Sequence, residues 1–153
     1  MAKSETAELS LATTPQTLDV QAFDLTNNNL PDLESAHEMP LDFMSDYWTP
    51  ENIGESKRVF FVKIDKSLVR DINDAEVVHE LPCAFFLERT PKGEVRQIRN
   101  GSKRLVGALE VAYEQAMIQR GTPLLITYLG KKSNKTNSFK SDNWSIKPLV
   151  INV

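Results

Sequence analysis

The sequence predicts a mainly β protein. It would be a five-stranded, OB-like Greek-key barrel with one α-helix between the third and fourth strands, preceded by a flexible acidic arm. Three observations predict this. Five segments are rich in β-branched and aromatic residues and are bounded by turn residues. Only one long stretch has its apolar residues at helical spacing, and it falls between the third and fourth of those strands. The charge is divided along the chain. Residues 1–46 hold one lysine and nine acids, a net −8, while the rest holds 17 basic and 12 acidic residues, a net +5. An overall charge of −3 therefore hides a basic body behind an acidic arm.

The elements follow in order. Residues 1–45 form the arm: they have no sustained period, and they carry Pro15, Pro31 and Pro40 with scattered Leu25, Leu30, Leu33 and Met39. Within it "PDLESAHEM" predicts one helical turn capped by Asp32 or Ser35. The domain spans 46–153 and opens on "DYWTPENIGESKRVFFVKI", where Pro50 and Gly54 mark a loop. The first strand is "RVFFVKI", with Phe60, Val62 and Ile64 on one face and Val59, Phe61 and Lys63 on the other. "SLVRDINDAEVVHE" reads as a long polar loop entering a strand at "EVVHEL". "LPCAFFLERT" is the second clear strand, "PKG" a turn, and "EVRQIRN" the third strand, closing a hairpin.

The helix follows. Leu105, Ala108, Leu109, Ala112 and Ala116 share a face, Ser102 is the expected N-cap and Gly121 the expected residue past the C-terminus. Gly107 inside it implies a close packing contact. "TPLLITYLG" is the fourth strand and "WSIKPLVI" the fifth, joined by the polar run "KKSNKTNSFKSDN".

Several function classes lose support. No apolar run has the length of a membrane span, and "MAKSETAELSLATTPQ" has no signal-peptide core. The single cysteine, Cys83, reads as a small buried apolar residue and fits a reducing compartment. His37 and His79 stand apart from any nucleophile or metal-ligand spacing, and Asp71 and Asp74 in "DINDAE" lack the glycine and ligand density of a calcium loop. Phosphate-binding and nucleophile-elbow motifs are missing. The expectation is a non-enzymatic protein without metal or cofactor.

The positive signal is the polar run. Lys131, Lys132, Lys135 and Lys140 lie within ten positions, Asn134, Asn137 and Asn143 add hydrogen-bonding groups, and Phe139, Trp144 and Tyr128 supply aromatic faces. Single-stranded nucleic acid needs both kinds of group: cations follow its backbone, and aromatic faces stack its bases at about 1–3 kcal/mol each. In OB-folds the loop between the fourth and fifth strands belongs to the binding surface, which this run would occupy. Arg96 and Arg99 of the third strand and Lys103 and Arg104 at the helix start would extend the basic surface. Trp144 suits core and groove equally, and Tyr47 and Trp48 suit either the domain's packing or its binding face.

"SDYWTPENIGESKRVFFVKI", "IRNGSKRLVGALE" and "GTPLLITYLGKKSNKTNSFKSDNWSIKPL", covering roughly Asp46 to Leu149, resemble a group of small uncharacterised phage and prophage proteins. The shared features are a Tyr-Trp-x-Pro opening, an Asn-Gly-Ser-Lys before a helix and a Tyr-x-Gly-Lys-Lys hairpin. The resemblance implies a phage origin and the cytoplasm of a bacterial host. It fits the OB-fold single-stranded DNA-binding proteins of phage replication and recombination. Those carry their acidic tail at the C-terminus, whereas here the acid is N-terminal and the chain ends in "PLVINV".

The reading is therefore single-stranded DNA binding with little sequence preference. Lys131, Lys132, Lys135, Lys140, Arg96 and Arg99 would contact phosphates, Phe139, Trp144 and Tyr128 would stack bases, and Asn134 and Asn137 would hydrogen-bond. The acidic arm would compete for the basic groove or recruit replication or recombination proteins. Oligomeric state is left open, a homo-oligomer included. The main rival is a phage structural or protein-interaction module; a second is duplex binding through phosphates alone.

Overall fold

A computed structural model of the chain describes residues 15–17, 20–71, 73–136 and 139–152. Its elements are β1 (Pro15–Thr17), β2 (Ser45–Tyr47), β3 (Ser56–Arg70), β4 (Val77–Arg89), β5 (Val95–Asn100), α1 (Lys103–Glu114), β6 (Pro123–Ser133) and β7 (Lys140–Pro148). The strand order is β2-β5-β4-β3-β6-β7, with β1 on β4. β2 runs parallel to β5, while β5 on β4, β6 on β3 and β7 on β6 are antiparallel.

The sheet is open and mixed, which corrects the expected five-stranded barrel. Closing a sheet needs its two edges to pair. Here the outer edge of β5 is taken by β2, a three-residue strand with no legible period, and the sheet ends at β7. The apolar face of the sheet is covered by α1 instead of by the sheet curling onto itself. Val59, Phe61, Ala84, Phe86, Ile98, Leu124 and Ile126 from the strands meet Leu105, Val106 and Leu109 of the helix.

Two expected strand boundaries also shift. "SLVR" continues β3 instead of starting a loop, and "EVVHEL" and "LPCAFFLERT" are one strand, β4. The connection shrinks to residues 71–76 because Leu68 and Val78 are buried apolar residues that extend the hairpin. The alternation in β3 changes phase at Phe61 and Val62, both buried, so that Ile64 joins Val59 and Phe61 in packing toward the helix.

The chain divides into two compact units. One comprises residues 1–41 and 66–81, the other 42–65 and 82–153. In the first, β1 pairs with β4 with Pro15 opposite His79, and the Leu68 N–H donates to the Pro40 carbonyl at 2.7 Å. Residues 20–39 are exposed throughout. The expected helical turn is a single turn, Ala36 N–H to Leu33 O at 3.1 Å, and Asp32 accepts from the Glu34 N–H instead of capping a helix. The 71–76 connection is tied by Asp71. Its carboxylate accepts from the His79 ring at 2.9 Å and from the N–H groups of Asn73 and Asp74. Those bonds, the histidine's first, hold the Asp71 carboxyl below the usual aspartate range.

In the second unit α1 departs from expectation at both ends. Ser102 sits at the N-cap but makes no capping bond, because its hydroxyl accepts from Trp144 Nε1 at 2.9 Å. At the C-terminus the left-handed residue is Ala116 at φ 61, not Gly121. The Met117 N–H reaches Ala112 O and the Ala116 N–H reaches Tyr113 O, the bond pair that closes helices with a left-handed residue. The chain turns there because Ile118, only 8% exposed, must enter the core; Gly121 serves the following turn into β6. Gly107 has no neighbour that an added Cβ would meet, so the expected close contact is absent at that position.

Glycine and alanine at two of these points have opposite expected effects. Ala116→Gly removes a left-handed penalty of about 1–2 kcal/mol, offset by roughly 0.5–1 kcal/mol of glycine chain entropy. A net gain of roughly 0.5–1 kcal/mol is expected in urea unfolding. Gly101→Ala places a Cβ 3.1 Å from Cys83 Sγ, 3.4 Å from the Pro82 carbonyl and 3.5 Å from the Tyr47 hydroxyl. Overpacking of that kind costs about 1–3 kcal/mol. A Gly101→Ala protein as stable as the parent would mean that this corner yields freely.

A basic hairpin as the candidate functional site

β6 and β7 extend well past the apolar core as a two-stranded ribbon. From Leu124 opposite Pro148 to Tyr128 opposite Trp144 they line the sheet; after a register shift at Tyr128/Gly130 they continue to Ser133 opposite Lys140. Lys131, Lys132 and Lys140 are thus strand residues, and the polar run shrinks to a connection over 134–139. The register shift lets Gly130, at φ 91, pass Ile53, whose side chain lies 3.0 Å from where a Cβ would stand.

The base of the ribbon is an aromatic cluster. Trp144 meets Trp48 edge to face at a centroid distance of 5.5 Å and Tyr128 at 5.2 Å. Trp48 is 6% exposed and belongs to the core; its Nε1 donates to Glu55 Oε2 at 2.9 Å. That bond, with the Glu51 N–H, holds the Glu55 carboxyl below the usual glutamate range and clips the loop between Trp48 and Glu55. Trp144 packs against the same core and spends its ring nitrogen on Ser102. It is partly buried against the core, and two edge contacts engage the ring that was expected to stack bases. Phe139, 72% exposed, is the aromatic side chain of the connection that faces outward.

The charges are arranged unevenly. Lys131 forms an ion pair with Asp142 at 2.7 Å, and the Tyr128 hydroxyl donates to the same carboxylate oxygen at 3.0 Å. Asp142 pushes the Lys131 ammonium up from its usual value, while burial and then Asp142 push the Tyr128 hydroxyl up. Asp142 is the member of the site that sequence reasoning missed; its mirror position to Lys131 across the hairpin was the available signal. Lys132, Lys135 and Lys140 are exposed, with no ion pair among the described residues. Asn134 is held inward: its side-chain oxygen accepts from Arg104 at 3.0 Å and from the Ser141 hydroxyl at 2.8 Å. Asn137 lies outside the described residues.

The Arg104–Asn134 bond ties the ribbon to the first turn of α1. That turn carries Lys103 and Arg104 and no acid. Cations there oppose the positive end of the helix dipole, and the turn has no side-chain cap. An anion would relieve both.

The two arginines expected on this surface are elsewhere. Arg96 is half exposed and bonded to Glu88 Oε1 at 3.0 Å, in a group with Lys57, which meets Glu88 at 2.8 Å. Arg99 is only 8% exposed and cannot reach solvent phosphates: its guanidinium donates to the Ser45 carbonyl and hydroxyl and lies over the Tyr47 ring at 5.7 Å. The physical reason is β2, which covers the Arg99 side chain as it pairs with β5. Tyr47 is about a third exposed at 36%, but its hydroxyl end is enclosed, accepting from the Gly101 N–H at 2.9 Å, and burial pushes that hydroxyl up. Cys83 is fully buried, and burial pushes its thiol up to about 11, so it stays protonated and unreactive at neutral pH.

Among the described residues no group of three or more His, Cys, Asp or Glu side chains is placed to hold a metal ion, and no helix is long and apolar enough to cross a membrane. The fold and site together define a mainly β open-sheet protein with one covering helix and a protruding basic hairpin. Comparison with protein-family models, curated proteins and solved structures finds no match to this chain.

Proposed function

We propose that the second unit binds single-stranded DNA with little sequence preference, in phage DNA replication or recombination, and that the β6–β7 ribbon is the contact surface. The carrying observation is the pinning of the ribbon to the helix start through Arg104 and Asn134. The ribbon and the helix start tied to it carry Lys131, Lys132, Lys140, Lys103 and Arg104 together with an exposed Phe139, and among the described residues Asp142 is the acid ion-paired with one of these cations. Lysines on a two-stranded ribbon suit a polyanion of repeating charge, and an outward phenylalanine supplies a sequence-tolerant stacking face. The N-terminal residues favour a second contact of another kind. Leu25 and Leu33 are 81% and 75% exposed among acids, a pattern that suits docking to replication or recombination proteins.

The testing experiment is a fluorescence-anisotropy titration of the full chain with a labelled oligothymidylate at low and moderate salt. Four lysines on phosphates give a logarithmic salt slope of about −3. Absence of binding at low salt would sink this reading and move the ribbon to protein interaction.

A further inference from the structure

A second surface of mixed charge and apolar character lies on the face of the sheet opposite the helix. There a hollow of about 200 Å³ is lined by Arg58 and Phe60 of β3, Arg89 of β4, Pro123 of β6, and Leu149 and Ile151 beyond β7. Its geometry follows from strand alternation. Lys57 and Glu88 form an ion pair at 2.8 Å on the helix side, where Lys57 also lies over the core residue Trp48. The next residue on each strand points to the opposite face. Arg58 and Arg89 therefore emerge on neighbouring strands, on the same side.

The acid is on one face and the two arginines are on the other. Neither guanidinium has an ion-pair or hydrogen-bond partner among the described residues. Like charges side by side on adjacent strands are unfavourable, and among the described residues no ion pair balances them. A third cation stands in the same row, since Arg58 pairs with Leu125 and Leu125 with Lys147. Beside the charges the floor is apolar. Phe60 is 40% exposed and Ile151 62%.

We propose that this hollow binds a small organic anion, with a phosphate or carboxylate held between Arg58 and Arg89 and a ring laid against Phe60, Pro123 and Leu149. Paired guanidiniums are the side chains best matched to either oxyanion. The volume lies below the ~300 Å³ at which most ligand clefts begin, which limits the body of the ligand to one ring-sized group. The site is separate from the ribbon's outer lysines: Pro123 and Leu149 lie at the opposite end of the β6–β7 ladder from Lys131, Lys132 and Lys140.

The experiment is an NMR titration of the full chain with three probes: phenyl phosphate, 3-phenylpropionate and inorganic phosphate. Saturable shifts of the Phe60 ring and the Arg58 and Arg89 side chains are expected with at least one organic anion, about tenfold tighter than with inorganic phosphate. Phenyl phosphate alone would identify a phosphate-monoester site, and phenylpropionate alone a carboxylate site. Arg58→Gln and Arg89→Gln, both at exposed positions, should each weaken binding by about tenfold with an unchanged backbone spectrum. A variant lacking Lys132, Lys135 and Lys140 should bind as the parent does, which separates this site from the ribbon. Three outcomes would overturn the assignment: no saturation by either organic anion, equal affinity for inorganic phosphate, or parental affinity in both arginine variants.

Discussion

Replacing Lys132, Lys135 and Lys140 together by alanine is expected to lower the logarithmic salt slope of oligothymidylate binding by about two. Each cation on a single strand contributes about 0.7 to that slope. Between 50 and 200 mM salt, a fourfold change, the parent should therefore lose about 16-fold more affinity than the variant. These three lysines are chosen because they are exposed and outside the ion pairs of the described residues. Lys131 is already shared with Asp142, so Lys131→Ala should cost less than any of them, and Asp142→Asn should raise the slope by freeing it. Phe139→Ala separates stacking from charge. It should weaken binding by about 1–3 kcal/mol and leave the slope unchanged. An unaltered slope in the triple variant would remove the ribbon from any phosphate contact.

The largest effect on stability is expected from Phe86→Ala. Phe86 is fully buried, at 0% exposure, on a central strand, edge to face with Phe61 at 6.5 Å and under the helix residues Leu105 and Leu109. Truncating such a ring removes its transfer energy and leaves a cavity, at about 3–5 kcal/mol. For a chain of this length each kcal/mol moves Tm by about 2–4 °C, so a fall of roughly 6–20 °C is expected in thermal unfolding. Phe60→Ala is the control. Phe60 lies next to Phe61 in β3 yet faces away from the helix and is 40% exposed, so its loss should cost about 1 kcal/mol or less. Equal losses in the two variants would mean that α1 does not define the core face.

The same pair shows how far the sequence could be read. "RVFFVKI" is unmistakably a strand, because its composition and period are local properties. Which phenylalanine is buried depends on which face receives the helix. The phase change at Phe61 and Val62, which brings Ile64 to the helix side, has no sequence mark. Trp144 follows the same logic. Its strand was legible, but its packing against the core rests on Trp48, 96 residues earlier, and on the Ser102 hydroxyl. Arg99 looked like a surface cation by residue type, and only the pairing of β2 with β5 encloses it.

By itself the sequence determined what short-range forces control. These are the strands "RVFFVKI", "LPCAFFLERT", "EVRQIRN" and "TPLLITYLG", the "WSIKP" part of "WSIKPLVI", whose strand begins earlier at Lys140 and ends at Pro148, the helix after "NGS", the turn at "PKG", and the concentration of lysines in a hairpin. Tertiary structure alone decided what long-range pairing controls. An open sheet stands in place of a barrel because β2, too short to carry a period, takes the edge of β5. Lys131 is held by Asp142 and Asn134 by Arg104, while Arg58 and Arg89 are left facing one hollow without an acid. Propensity and period act over a few residues. The face that is buried, the edge that pairs and the charge that goes unbalanced are set by residues far apart in the chain, whose contacts exist only once the sheet has formed.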